Sequence, residues 1–74
     1  MSKSRDNFVR LAESRTKKVI KALELLSNLS NRTNYSFDEA DVRKIFAATN
    51  QSMKDAQKKF ELNLKIDKKD EFKL

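Results

Sequence analysis

Three short constellations in this chain have residue types that could do chemistry. Ser14-Arg-Thr-Lys17 has the Ser-x-x-Lys spacing with which some acylating hydrolases set a lysine beside a serine nucleophile. Asp38, Glu39 and Asp41 gather three carboxylates within four residues, a start on a cation site. The stretch NLSNRTNYSF at 28–37 holds three Asn-x-Ser/Thr tripeptides, Asn28-Leu-Ser30, Asn31-Arg-Thr33 and Asn34-Tyr-Ser36, the acceptor pattern of glycosylated secreted proteins.

None of the three survives the rest of the composition. An acyl-transfer site needs an oxyanion hole and a cleft to hold it, and a 74-residue chain with no glycine has little to build either from. An EF-hand loop needs a glycine at its turn and more oxygen ligands, whereas the three carboxylates sit where a helix starts and serve its dipole. The tripeptides need a secretory route, yet MSKSRDNF has no apolar leader and the chain has no cysteine. With no cysteine and no histidine there is no thiol nucleophile, no imidazole base and no Cys/His zinc set. No catalytic, cofactor or metal residue is assigned, no cofactor is expected, and the chain does not read as an enzyme. The expected location is the cytoplasm, and no apolar run approaches the roughly 20 residues of a membrane span.

What remains is charge and surface. The formal net charge is +6, with 17 Lys and Arg against 11 Asp and Glu, and the excess lies in residues 1–34. Wound at about 100° per residue, Lys3, Arg10, Lys17 and Lys21 fall within about 20° of one line. Such a line could contact phosphates or an acidic partner; a merely solvated helix face is the plainer reading. Arg15 lies at the edge of the apolar face of the same segment, placed either to pair with an acid across an interface or to snorkel into water. Arg32 and Tyr35 sit at the polar, aromatic centre of the next segment, a second candidate contact.

The elements that must position these residues are helices. Glycine and proline are absent throughout, so nothing in the composition favours tight β-turns or kinks. From about residue 4 to 29, Phe8, Ala12, Val19, Leu23 and Leu26 share one face, widened by Leu11, Ala22 and Leu29, with the basic line behind. From about 37 to 60, Val42, Ile45, Phe46, Thr49, Met53, Ala56 and Phe60 step by three or four. Ser36 with Glu39 has the capping-box spacing, and one of Asn31 and Asn34 is a candidate for the left-handed backbone that glycine would otherwise supply.

The fold class expected is all-α: residues 1–60 as a two-helix antiparallel hairpin with a connector at 30–36, and residues 61–74 as a C-terminal arm. Phe60, Leu62, Leu64 and Ile66 alternate with polar residues, which leaves three readings of the arm: a frayed helix, a short strand paired across a dimer, or a segment docked on a partner. One hairpin seam does not use all of the first helix's apolar face, because Val9, Ile20 and Leu25 flank it. Two hairpins joined as a four-helix bundle, or one hairpin on another protein, would cover the remainder.

The strings FVRLAESR (8–15), NLSNRTNY (28–35) and VRKIF (42–46) resemble a type of small, all-helical and largely uncharacterised bacterial protein, in part carried on mobile elements. The resemblance covers roughly residues 8–60 and implies a bacterial origin and two helices; it brings no activity and no functional residues. The function expected is helix-mediated protein–protein association, as a homodimer and with a protein partner. The alternative is a small basic DNA- or RNA-binding regulator that contacts the phosphate backbone through Lys3, Arg10, Lys17 and Lys21.

Overall fold

The structure, a computed structural model, describes residues 2–68, with side chains through Leu64. It is all-helical among the described residues: α1 (Lys3–Ser27), a short 3-10 helix (Asn28–Ser30) and α2 (Glu39–Lys68). The chain divides into two units, Met1–Ser36 and Phe37–Leu74.

In the first unit α1 starts at a cap that the sequence reading did not single out. The Ser2 hydroxyl accepts the Arg5 N–H at 3.1 Å, and the Ser2 carbonyl accepts the Asp6 N–H at 3.1 Å. Asp6 in the first turn adds negative charge at the positive end of the helix dipole. At the other end the Ser27 hydroxyl donates to the Glu24 carbonyl at 2.7 Å, and the coil tightens into its 3-10 extension before Asn31 turns extended, with φ −75° and ψ 102°.

No non-glycine residue has positive φ among the described residues, so neither Asn31 nor Asn34 takes the expected left-handed conformation. The reason is local bonding. The Asn31 side-chain oxygen accepts the Thr33 N–H at 3.0 Å, and the Asn31 carbonyl accepts the N–H groups of Asn34 and Tyr35 at 3.1 and 3.0 Å. An Asx turn forms here using negative φ alone.

In the second unit the cap lies two residues beyond the expected Ser36. Asp41 donates its N–H to the Asp38 carboxylate at 2.9 Å, and Asp38 donates its N–H to the Asp41 carboxylate at 3.1 Å. The Asp38 carbonyl accepts the Val42 N–H at 3.2 Å. This is a reciprocal capping box built from two aspartates; Ser36 with Glu39 has the same spacing, and it is the pair Asp38 and Asp41 that makes the bonds. Helix α2 begins at Glu39, and Phe37 is half-buried just ahead of the cap.

Nor does α2 stop at Phe60. It runs on through Leu62 and Leu64 to Lys68, so the alternation that resembled a strand is helical. Residues 61–68 contain neither glycine nor proline, and Glu, Leu and Lys favour continued helix. Asn63 donates its side-chain amide to the Lys59 carbonyl at 2.8 Å within that extension. At 3.6 residues per turn Leu64 extends the line of Val42, Met53 and Phe60, whereas Leu62 falls on the far side. Leu62 is accordingly the most exposed large apolar residue among the described side chains, at 64%. The part of the expected arm at 69–74 lies outside the described residues.

None of the described residues is buried. On α1 only Ala12 and Leu26, at the centre of the apolar face, are half-buried; Phe8, Val19 and Leu23 remain exposed. On α2 Thr49 alone among the described side chains is half-buried, although Val42, Ile45, Phe46, Met53 and Phe60 line one side of the helix. Both helices thus carry an apolar stripe that each leaves open.

Replacement of Asp38 by Ala is expected to destabilise the start of α2 by about 1 kcal/mol, and Ser36→Ala to change it by no more than a few tenths. Amide hydrogen exchange at Asp41 and Val42 distinguishes the two: D38A speeds it and S36A does not.

Candidate functional site

Both groups of candidate contact residues belong to the first unit, and its two structural devices present them differently. Helix α1 supplies a rigid ruler. At 1.5 Å per residue Lys3, Arg10 and Lys17 follow at intervals of about 10.5 Å and Lys21 about 6 Å further on, a row of roughly 27 Å. All four are exposed. Arg10 donates from its Nη2 to the Asn7 side-chain oxygen at 3.4 Å, a long contact that leaves most of the guanidinium to solvent.

The helix also sorts its remaining charges. Asp6, Glu13 and Glu24 fall along a neighbouring strip, about 20–80° from members of the row on the side of Val9 and Ile20, so no acid lies within the row itself. Arg5 belongs to the other side. Its guanidinium stands 5.9 Å from the Phe8 ring centroid, near the outer limit of a cation–π contact, and shields one end of the apolar stripe. Arg15 is exposed at the edge of that stripe.

The connector supplies a recess rather than a ruler. Arg32, Thr33, Asn34, Tyr35 and Ser36 line one shallow, open and mainly polar depression, which brings Arg32 and Tyr35 together. Asn31 shapes it from below through the three hydrogen bonds of the turn, and Tyr35 presents about half of its surface. The sequence reading named the two lining residues but missed Asn31 as their organiser. The available signal was an Asx side chain directly after a helical turn, followed two residues later by a free backbone donor.

The carboxylates at 38–41 are engaged in capping through Asp38 and Asp41. Among the described residues, no group of three or more His, Cys, Asp or Glu is placed to hold a metal ion. No helix among them is long and apolar enough to cross a membrane. Ser14 and Lys17 lie on the exposed side of α1.

No family model matches the chain, and neither the curated proteins nor the solved structures include one that is significantly similar to it.

Replacing Arg32 and Tyr35 together by Ala is expected to leave far-UV circular dichroism unchanged while abolishing retention of the macromolecule that co-purifies with the chain at low salt. Retention by the double variant equal to that of the parent would remove the connector from the site.

Proposed function

We propose that this chain is a non-catalytic protein-binding module in which α1 and α2 fold back on each other as an antiparallel hairpin, and two hairpins associate as a four-helix bundle. The observation that carries the reading is the matched spacing of two apolar stripes that each helix leaves exposed. Phe8 pairs with Phe60, Ala12 with Ala56, Val19 with Thr49, Leu23 with Ile45 and Leu26 with Val42; in every pair the residue numbers add to 68. Large residues meet large ones and alanine meets alanine, which favours interlocking layers and close approach at the alanine level.

A three-four repeat recreates such a match about every seven residues, so the fold point decides between registers. A sum of 68 puts that point at Asn34, inside the turn that Asn31 organises. The neighbouring registers would reverse the chain in the 3-10 extension of α1 or at the cap of α2. In the favoured register Arg15 stands opposite Met53, where its aliphatic stem covers the thioether and its guanidinium reaches water.

Self-association is supported by what that seam would not use. Val9, Ile20 and Leu25 are exposed at 36%, 53% and 58% and lie outside the paired positions. A second hairpin is the simplest cover for apolar residues on the flanks of a helix. The absence of cysteine and histidine from the sequence favours a non-catalytic role, and the bacterial, mobile-element setting is supported by the resemblance of strings alone.

Engineered disulfides test the register, because no native cysteine competes. Ala12→Cys with Ala56→Cys is expected to cross-link readily on mild oxidation, whereas Ala12→Cys with Lys58→Cys, on the far side of α2, is not. Equal cross-linking of both pairs would overturn the hairpin. For the dimer, Ile20→Glu with Leu25→Glu should convert the species to a monomer by sedimentation equilibrium while the A12C/A56C cross-link still forms. A parent chain that is a cooperatively folded monomer at micromolar concentration would overturn the four-helix bundle.

A further inference from the structure

We infer that α1 carries a second interface, on the side away from its apolar stripe, which lies along the sugar–phosphate backbone of a nucleic-acid duplex. Lys3, Arg10, Lys17 and Lys21 form the interface, in one row along a single continuous helix.

The first ground is that these cations are uncommitted. Among the described residues Lys3, Lys17 and Lys21 make no hydrogen bond or ion pair, and Arg10 makes only its long contact to Asn7. Binding an anion here breaks no existing ion pair. The three acids of α1 lie off the row, three or four residues from its members, and offset part of its field without forming an ion pair; the row itself stays cationic.

The second ground is what lies between them. Within about 20° of the row's centre the only other residue of α1 or its extension is Asn28, with Ser14 close by, both hydrogen-bond donors to phosphate. The row contains no apolar or aromatic anchor of the kind that dominates protein interfaces, and no aromatic on which single-stranded bases would stack. Three of its four cations are lysines, point charges suited to phosphate oxygens rather than to the forked recognition of a base. A straight row of roughly 27 Å runs beside about 16 duplex phosphates at one charge per 1.7 Å.

The third ground separates a duplex from a lipid surface. A helix lying on a membrane buries its apolar face and sets its cations at the flanks of that face. Here the row lies about 180° from Phe8, Val19 and Leu26, so a membrane that took the stripe would face away from the row. The two faces can be engaged at once only if the polyanion and the apolar partner are different molecules.

Four phosphate contacts per chain give a slope of about −3.6 in log K against log salt, a loss of roughly 150-fold between 50 and 200 mM salt. Fluorescence anisotropy of the full chain with a labelled mixed-sequence DNA duplex reads both quantities. The variant K3Q/R10Q/K17Q/K21Q should lose the binding and flatten the slope, with circular dichroism confirming that α1 persists. The variant K44Q/K54Q/K58Q/K59Q removes the same charge from α2 and should retain most of the slope. Equal loss in both variants would reduce the effect to net charge and overturn the interface. Binding that ignores salt, tighter capture of polyglutamate or single strands, or association with anionic vesicles in preference to duplex would also overturn it. None of these outcomes depends on dimer formation, which the cysteine and glutamate variants read separately.

Discussion

An amphipathic helix cannot cover its own apolar face, and that constraint governs everything else in this chain. The sequence makes two such helices and almost nothing besides. Helix α1 leaves Phe8 and Val19 about half exposed, and α2 does the same with Met53 and Phe60. In water each exposed aliphatic or aromatic side chain forgoes about 1.5–3 kcal/mol of transfer free energy, so several along one stripe make an uncovered helix unfavourable. Propensity and caps set where the helices start; only packing against another surface can hold them at this length.

The faces of α1 differ in chemistry for the same reason. Packing concentrates the apolar residues on one side, and the charges, expelled from it, are sorted rather than scattered. The acids gather on one flank and the uncommitted cations on the back. A helix of 25 residues is long enough to hold both an apolar stripe and a row of charges, because positions three and four apart share a face. The connector adds a third surface, a small polar recess whose shape depends on one asparagine.

How much of this could be read from the residues differs from place to place. The helical class and the spacing of the apolar stripes followed from period and composition, which are properties of each residue's own position. The residues leave the outcome open where two local solutions compete. Ser36 with Glu39 and Asp38 with Asp41 have the same capping-box spacing, and the spacing alone does not separate them; the bonds form at the second pair. Asn31 and Asn34 can both take positive φ, but a side-chain hydrogen bond made that conformation unnecessary. At 60–66 a two-residue alternation coincided with strong helix formers, and with no breaker the helix ran on. Contacts beyond a single helix are invisible to periodicity, which says that a face must be covered and not by what.

The turn at Asn31 has one more consequence, in the language of polymers. Closing a flexible loop costs entropy that grows with the logarithm of its free length, about 0.6 kcal/mol for each doubling. Here the first half of the segment between the helices is already tied down, by three hydrogen bonds to one residue, and none of its members is a glycine with extra freedom to lose. The tether that links α2 to α1 is therefore shorter in effect than in sequence, and the local concentration of one helix around the other is higher than a free linker of that length would give.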